Sequence, residues 1–195
     1  MSKRHPVVAV TGSSGAGTST VKRAFEHIFA REDIVPAVVE GDGYNVASYA
    51  DLLVGVVPIT NLEWIQKIHR DNAERGYSAE TIVDTILRRM PDYINHICPQ
   101  FSKTDINFQR IPTIDTSNPF ICRNIPTPDE SFVIIHFRKG AREKWGIDFQ
   151  YLLGMINDSF MSSPTSIVVN GGKMGFAMEL ILTPIIHKMI EEKNK

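Results

Sequence analysis

A glycine-rich stretch near the amino terminus combines residue types and spacing suited to holding phosphate. The sequence VAVTGSSGAGTST, residues 8–20, approaches the pattern G-x-x-x-x-G-K-[S/T], in which a loop between a strand and a helix wraps phosphate oxygens. Gly12, Gly17 and Ser19 fit this pattern, whereas Thr18 occupies the lysine position. Small residues let backbone N–H groups approach an anion, and the helix that follows presents the positive end of its dipole. The predicted nucleotide-binding residues are Gly12, Ser13, Ser14, Gly15, Ala16, Gly17, Thr18, Ser19 and Thr20, with the Ser19 hydroxyl placed to reach Mg²⁺.

The alternative for this stretch is a Gly/Ser-rich turn that binds nothing. We favour the phosphate loop because a strand pattern precedes it and a helix pattern follows it. Without the lysine, the β- and γ-phosphates lack a point charge. Phosphoryl transfer would therefore need a cation from elsewhere in the chain.

Three cations lie in the segment QKIHRDNAERGYS. Lys67 and Arg70 share a helix face, and Arg75 lies near the break at Gly76. Cations that converge beside a hinge glycine suit a lid that neutralises the charge developing in phosphoryl transfer. The alternative is a solvated basic face, and the sequence leaves the two readings open. In that alternative the partners of the cations would be Glu63, Asp71 and Glu74.

Asp42 is the last residue of the stretch VVEGD, at the end of an apolar run, and can be a catalytic base. Open α/β sheets bind ligands at the carboxyl ends of their strands, where an acid could orient and deprotonate an attacking hydroxyl. The sequence also offers Asp42 as a Mg²⁺ ligand together with Ser19. The alternative is a Gly-Asp-Gly turn that only ends the strand.

The elements that must position these residues follow a β-α-β order. PVVAVTG, IVPAVVEGD and LLVGVVPIT have the continuous apolar character of strands buried on both faces of a parallel sheet. A helical stripe of Val21, Phe25, Ile28 and Phe29 separates the first two strands. This order predicts an α/β fold with a parallel sheet.

Further elements are predicted beyond residue 60. A helix capped by Asn61 should carry a Glu63–Lys67 pair, and a second helix should begin after an N-cap at Ser78 and be kinked or ended by Pro91. The apolar face of this second helix is predicted to consist of Ile82, Val83, Ile86, Leu87 and Met90. FVIIHF and SIVV are predicted strands, and the carboxyl-terminal helix is expected to be interrupted at Pro184.

Bulk composition excludes several classes of protein. The formal net charge is −1, so nothing global indicates a nucleic-acid or membrane partner. Two cysteines are too few for a disulfide framework, and no apolar run is long enough for a membrane span or export signal. These features predict a cytoplasmic protein.

Six stretches of the chain resemble phosphoribulokinases of the bacterial type. They are HPVVAVTGSSGAGTSTVKRAF, EGD, GVVPITNLEWIQKIHRDNAERGY, ILRRM, PQFSKTDINFQRIPTIDTSNPFI and LILTP. The stretch RDNAERG is also similar to uridine kinases, which belong to the same wider superfamily. The TDINFQR and DTSNPF stretches are much more specific to phosphoribulokinases.

The resemblance implies a P-loop nucleoside-triphosphate-binding kinase fold with a mixed sheet flanked by helices. It also implies ATP- and Mg²⁺-dependent phosphorylation of ribulose 5-phosphate to the 1,5-bisphosphate. That family has Thr at the position of Thr18, uses the acid matching Asp42 as the base, and contacts substrate phosphates through the cations matching Lys67, Arg70 and Arg75. Many bacterial relatives are activated by NADH, and the resemblance offers Arg31 as a contributor to that regulation.

The chain departs from the family between EGD and GVVP. There the family has a long segment that starts with a His-Arg pair and ends in a strand with a second, Mg²⁺-binding acid. In this chain Tyr44 matches the family's aromatic residue and Asn45 stands where His is expected. No Arg follows within the joint and the second acid is absent. We therefore expect a single P-loop kinase domain over residues 1–195, shortened by an internal deletion near residues 45–51.

The short joint has consequences for stability and activity. Residues 43–51 could span about 30 Å when extended, enough to run back along a strand but only as a bare loop. An uncovered apolar face would favour association into a homo-oligomer. We expect weak nucleotide binding and slow or no phosphoryl transfer.

Several functions remain open at this stage. The first is a compact phosphoribulokinase. The second is a catalytically impaired nucleotide-binding remnant or interaction protein of the same family, and a third is a uridine-kinase-like small-molecule kinase. An incomplete coding sequence would also explain the short joint.

Overall fold

A six-stranded mixed sheet forms the centre of the structure, a computed structural model that describes residues 5–13, 16–39 and 49–194. The strands are β1 Val8–Gly12, β2 Leu52–Val56, β3 Ile106–Pro112, β4 Ser131–Phe137, β5 Phe160–Ser163 and β6 Ser166–Asn170. Their order across the sheet is β1-β2-β3-β4-β6-β5. β1, β2 and β3 are parallel neighbours, whereas β4, β6 and β5 add antiparallel pairs. This mixed α/β sheet confirms the predicted fold class.

Helices connect and cover these strands. They are α1 Thr18–Arg31, α2 Thr60–Arg75, α3 Ala79–Arg88, α4 Met90–Asp92, α5 Cys98–Phe101, α6 Ala141–Trp145, α7 Phe149–Met155 and α8 Met174–Lys193. A π-helical turn, Tyr93–Ile97, joins α4 to α5, and a 3₁₀ turn, Gly171–Lys173, leads into α8.

The main core lies between the sheet and the helices α1 and α8. Val21, Phe25 and Ile28 of α1 are buried in it, as the predicted stripe requires. They share this core with β-strand residues such as Phe108 and with α8 residues such as Ile181. The apolar face of α1 therefore fixes the helix, and with it the glycine-rich turn that precedes it, against the sheet.

A separate small cluster holds α3 against α2. Ile82 and Ile86 of α3 pack with Ile68 of α2, whereas Leu87 on the predicted apolar face is 52% exposed. Ser78 caps α3 as predicted, because its Oγ accepts a hydrogen bond from the N–H of Thr81. α3 ends at Arg88, before Pro91, as the sequence also predicts.

The predicted strand IVPAVVEGD is wrong over its described part. Residues 34–39 form no strand, and Val35 and Val39 are 94% and 89% exposed. An apolar run becomes a strand only where a neighbouring strand accepts its hydrogen bonds, and Pro36 also lacks an N–H to donate. In the sheet formed by the described residues β1 lies at an edge, and its partner is β2.

Two predictions about helix geometry are also wrong. α2 begins at Thr60 after an extended Ile59, so Asn61 is not its cap, and its side-chain amide donates instead to the Thr116 carbonyl. α8 runs without interruption through Pro184. Buried Leu182 and Ile185 anchor α8 on either side of the proline, and this packing outweighs the loss of one backbone hydrogen bond.

Part of the joint that distinguishes this chain lies outside the described residues. Asp42, Tyr44 and Asn45 fall in that part, together with Ser14 and Gly15 of the glycine-rich turn. Where the chain is described again it is tied to β1, since the Asp51 carboxylate accepts a hydrogen bond from the Val7 N–H at 2.9 Å. β2 follows directly and is buried throughout, so the exposed apolar surface lies on residues 35–39 rather than on this strand.

Candidate functional site

The glycine-rich turn joins the carboxyl end of β1 to the start of α1, as predicted. Gly17 precedes the helix in a left-handed conformation, with φ of +95°, which favours glycine. The N–H of Ala16 donates to the Ser13 carbonyl at 3.0 Å, which holds these two residues close together. Ser19 and Thr20 are exposed in the first turn of α1, at the positive end of the helix dipole.

Gly12 is required by close packing at the base of this turn. A Cβ placed there would lie 2.8 Å from Cγ2 of Thr18 and 3.0 Å from the carbonyl oxygen of Val56. Thr18, at the lysine position, therefore packs against Gly12 at the end of β1.

The amino-terminal end of α2 approaches the same turn through a buried acid. Glu63 is 5% exposed, and the Tyr93 hydroxyl of the π-helical turn lies 3.4 Å from its Oε2. The buried Ser13 hydroxyl lies close enough to lower the pKa of Glu63, although it makes no well-aligned hydrogen bond. Burial nevertheless dominates and raises the pKa of Glu63 above its ordinary value. Burial, followed by the nearby Glu63 charge, also raises the pKa of Tyr93.

The three predicted phosphate-binding cations converge on one carboxylate. Lys67 Nζ lies 2.8 Å from Asp71 Oδ2, Arg70 Nη2 lies 2.7 Å from Oδ1, and Arg75 Nη1 lies 3.4 Å from Oδ1. Burial would raise the pKa of Asp71, but hydrogen bonds from Lys67 and Arg70 and their charges lower it overall. We call these four residues the Asp71 cluster.

The Asp71 cluster shows which acid pairs with the three cations, a question that the sequence left open. Lys67 pairs with Asp71 one turn along α2, not with Glu63 as predicted, because Glu63 faces the partly buried Tyr93 hydroxyl. The cations are therefore paired with acid, yet three positive charges meet one negative charge. The side chains become steadily more exposed from Lys67 at 17% to Arg75 at 54%, so the cluster opens to solvent at the end of α2. Whether it binds phosphate stays a prediction.

The loop carrying DTSNPF packs along the amino-terminal half of α2. Asn61 donates to the Thr116 carbonyl at 2.9 Å, and the rings of Trp64 and Phe120 stack with centroids 5.4 Å apart. This stretch without obvious chemistry is therefore a brace for the helix that carries the cations.

A cleft opens at the carboxyl ends of β2 and β3, beside the glycine-rich turn. Its lining residues are Ala16, Gly17, Thr20, Val56, Pro58, Phe108, Arg110 and Met174. Arg110 is the cation of this lining, and its Nε donates to the Ser131 hydroxyl at 2.9 Å. One of its terminal nitrogens donates to the Pro126 carbonyl. Burial lowers the pKa of Arg110 from its ordinary value.

Sequence reasoning missed both Glu63 and Arg110 as parts of this region. Arg110 lies within the quoted stretch TDINFQR and follows the alternation of Ile106 and Phe108, so its side chain shares their face of β3. That alternation at the carboxyl end of a parallel strand was the available signal. The i,i+4 spacing between Glu63 and Lys67 predicted an ion pair on the helix surface, so the burial of Glu63 was not expected.

The predicted Mg²⁺ ligands can be compared with the side chains that the structure describes. They contain no group of three or more His, Cys, Asp or Glu side chains that could hold a metal ion. Ser19 is exposed and accessible, whereas Asp71 is occupied by cations and unsuited to ligate Mg²⁺. Contact of Ser19 with a nucleotide-bound Mg²⁺ stays a prediction.

Arg31 is the last residue of α1, at the opposite end of the helix from the glycine-rich turn. Its guanidinium contacts Glu179 Oε2 at 2.6 Å and Glu32 Oε1 at 3.0 Å. These contacts tie α1 to α8. The contribution of Arg31 to NADH regulation stays a prediction.

No helix in the described part of the chain is long and apolar enough to cross a membrane.

Comparisons with known proteins identify the family. The sequence profile described as the phosphoribulokinase/uridine kinase family matches residues 7–45 and 38–117. The chain is 42% identical to a phosphoribulokinase of Nitrobacter vulgaris and 39% identical to a probable phosphoribulokinase of Escherichia coli K12. These alignments cover all of this chain and 100% and 99% of the relatives, respectively.

A solved structure gives the same assignment. The phosphoribulokinase from Rhodobacter spheroides superposes with a TM-score of 0.84 at 39% identity, with full coverage of both chains. The alignment with the Nitrobacter relative extends over 293 positions, whereas this chain has 195 residues, so a long stretch of the relative has no counterpart here. The chain belongs to the phosphoribulokinase/uridine kinase family.

Proposed function

We propose that this chain is a phosphoribulokinase that transfers the γ-phosphoryl group of ATP to ribulose 5-phosphate in the Calvin cycle. The observation that carries the proposal is the 42% identity to a phosphoribulokinase in an alignment that runs from one end of that relative to the other. The glycine-rich turn and the Asp71 cluster support it.

In the proposed reaction the glycine-rich turn holds the phosphate chain of ATP. Backbone N–H groups from residue 12 to residue 20 surround the phosphates, and Ser19 contacts Mg²⁺. Asp42 removes the proton from the C1 hydroxyl of ribulose 5-phosphate, and the resulting oxygen attacks the γ-phosphorus while ADP leaves. Asp42 can also help to hold Mg²⁺.

The Asp71 cluster supplies the positive charge that Thr18 does not. Its three cations and one carboxylate leave an excess of positive charge at the end of α2. Phosphoryl transfer depends mainly on positioning and charge neutralisation, so such a cluster suits the phosphates of both substrates.

We also propose that the chain is a single domain with an internal deletion near residues 45–51. Two family matches that share residues 38–45, instead of one continuous match, support this placement. The deletion would remove a sugar-phosphate clamp and a Mg²⁺-binding acid. We therefore expect turnover well below that of a full-length relative.

This deletion favours a second candidate function, a nucleotide-binding remnant that interacts with other proteins of its family. The exposed apolar residues 35–39 are compatible with association, including a homo-oligomer in the cytoplasm. In this reading the phosphate loop binds ATP but transfer to the sugar fails.

An assay with ATP and ribulose 5-phosphate separates the two functions. The wild-type chain is compared with Asp42→Asn and with an unshortened relative at equal concentrations. Turnover that Asp42→Asn abolishes supports the kinase, whereas equal trace activity in both proteins removes Asp42 as the base. Binding of MgATP without any turnover would favour the remnant, and the genomic DNA around codons 45–51 would show whether the coding sequence is complete.

A further inference from the structure

Glu63 is a buried acid of α2 beside the glycine-rich turn, and neither the phosphate-loop pattern nor the Asp71 cluster includes it. It is 5% exposed, and Ser13, which follows Gly12 at the base of the turn, is 7% exposed. The Ser13 hydroxyl is fully buried, and no described residue accepts a well-aligned hydrogen bond from it. A buried hydroxyl without an acceptor costs free energy, and the Glu63 carboxyl group is the acceptor beside it.

The register of the sheet explains why these two side chains meet. Gly12 pairs with Val56, so Ser13 leaves β1 level with the chain that leaves β2. That chain enters α2 at Thr60, and Glu63 is the fourth residue of the helix. The first turn of α2 therefore lies at the same edge of the sheet as the glycine-rich turn.

The segment between α3 and β3 contacts both of these elements. Tyr93 Oη lies 3.4 Å from Glu63 Oε2, and Thr11 Oγ1 near the end of β1 donates to Gln100 Oε1 at 2.6 Å. Gln100 belongs to α5, which directly follows the π-helical turn that carries Tyr93. The end of β1, the start of α2 and this segment thus meet in one largely buried polar region, of which Glu63 is the acid.

The charge of the proposed site lies on a different element from the loop that holds the phosphates. Thr18 stands at the lysine position, so the β- and γ-phosphates depend on the Asp71 cluster of α2. That cluster begins at Lys67, one turn beyond Glu63, and continues to Arg75 at the end of the helix. Its cations meet the phosphates only if α2 keeps a fixed place relative to the loop, because small misplacements of such groups are costly in phosphoryl transfer.

We propose that Glu63 is a positioning residue that accepts a hydrogen bond from the Ser13 hydroxyl when a nucleotide fills the loop, and thereby sets the Asp71 cluster against the γ-phosphate of ATP. This inference rests on the proposed nucleotide-binding function. Phosphate loops hold their ligand with backbone N–H groups, so the buried Ser13 side chain remains available for this contact.

The preference of the full chain for MgATP over MgADP measures this positioning, because the two nucleotides differ by the γ-phosphate. Calorimetric titration gives both dissociation constants for each variant. Ser13→Ala and Glu63→Leu should each lower the ratio of the ADP to the ATP dissociation constant by about fivefold, and the double variant should lower it no further. Unchanged ratios in both single variants, or losses that add in the double variant, would overturn the inference.

Glu63→Gln separates loss of the acceptor from loss of the charge. It keeps an oxygen that can accept from Ser13, so its ratio should stay within about twofold of the wild type. A fall equal to that in Glu63→Leu would show that charge alone matters, against the proposal.

Two further comparisons separate positioning from packing. A variant that only loosens the turn weakens ATP and ADP binding by the same factor, and such a result in Ser13→Ala would overturn the inference. Tyr93→Phe removes the long contact on the other side of Glu63 and should keep the ratio within about twofold of the wild type. A fall as large as in Ser13→Ala would show that Glu63 acts through the π-helical turn instead. If Glu63→Leu fails to fold, Ser13→Ala removes a single oxygen atom and decides by its ratio.

The failure of the proposed function has a different signature. A wild-type chain that binds neither MgATP nor MgADP rejects nucleotide binding itself, and the role of Glu63 with it. Equal affinity of the wild type for both nucleotides would leave no γ-phosphate contact to position, which overturns the inference but not nucleotide binding. A preference for ATP that is the same in the wild type and in every variant rejects the role of Glu63 alone.

Discussion

The Lys67 ammonium lies 2.8 Å from the Asp71 carboxylate, one turn further along α2, and both side chains are largely buried. Arg70 and Arg75 meet the same carboxylate. A single acid therefore organises the three cations that the proposed reaction needs, and each cation is oriented before a substrate arrives. This arrangement makes Asp71 the residue on which the charge balance of α2 depends.

Replacing Asp71 with Asn should destabilise the fold and disorder the cations. The three positive charges would then lose their shared carboxylate, and we expect the free energy of unfolding to fall by about 1–3 kcal/mol. Urea unfolding followed by circular dichroism measures the loss. Glu74→Gln, an exposed change on the same helix, is the matched control and should alter stability by less than about 0.5 kcal/mol. Equal stabilities of the two variants would contradict the organising role of Asp71.

The Asp71 contribution should disappear in acid. The pKa of Asp71 is lower in the folded protein than in the unfolded chain, so the folded state holds its proton less tightly. Its stabilisation is complete above the unfolded pKa of about 3.9 and is lost as the pH falls through the folded value. The difference in unfolding free energy between wild type and Asp71→Asn should therefore shrink below about pH 4. A difference that stays constant to pH 3 would argue against this linkage.

Glu63 should give the opposite pH dependence. Burial raises its pKa in the folded state, so the folded protein binds this proton more tightly than the unfolded chain does. The resulting stabilisation is complete below the unfolded pKa of about 4.3 and is lost as the pH rises through the folded value. Glu63→Gln stays neutral at every pH, and its unfolding free energy should lack this decline. Tyr93→Phe, which removes the long hydrogen bond to Glu63, should keep the decline, and its loss in that variant would contradict the assignment to burial.

Gly12 gives a steric test of the phosphate loop. Gly12→Ala forces the new Cβ to within 2.8 Å of Thr18 Cγ2 and 3.0 Å of the Val56 carbonyl, so the turn must shift. We expect a loss of about 1–3 kcal/mol in unfolding free energy and weaker ATP binding. Gly154→Ala is the control, because a Cβ there meets no atom within 4 Å and the position lies in helix α7, where Ala gains about 0.5–1 kcal/mol over Gly. Normal ATP affinity in Gly12→Ala would show that the loop tolerates the shift.

Local patterns predicted this fold best where one element decides its own structure. The stripe of α1 and the Ser78 cap of α3 depend on neighbours in sequence, and both are confirmed. The strand at residues 34–39 needed a pairing partner, which no pattern within the run can reveal. Pro184 shows the reverse case, because packing of α8 in the main core overrides a local helix breaker.

The sequence predicted which residue types form the candidate site better than it predicted the contacts between them. Spacing placed the three cations together, but it could not show that Asp71 is their common partner. The sequence does not reveal whether an acidic side chain is buried or exposed. Burial of Glu63 depends on Tyr93, thirty residues away in the chain. The position of Arg110 in the cleft beside the glycine-rich turn depends on β3 lying two strands from β1, and only the order of strands in the sheet shows this.

The cations of the Asp71 cluster differ in exposure, so their contributions to stability and to phosphate binding can be tested separately. Arg75 is 54% exposed and lies 3.4 Å from Asp71, so Arg75→Ala should change the unfolding free energy by less than about 0.5 kcal/mol. Lys67 is 17% exposed and closer, so Lys67→Met should cost about 1–2 kcal/mol by leaving Asp71 less compensated. If the cluster binds substrate phosphate, Arg75→Ala should still weaken ribulose 5-phosphate binding severalfold, because its charge lies at the open end. Stability near that of the wild type together with unchanged ribulose 5-phosphate affinity in Arg75→Ala would assign this residue to a solvated helix end with no part in binding.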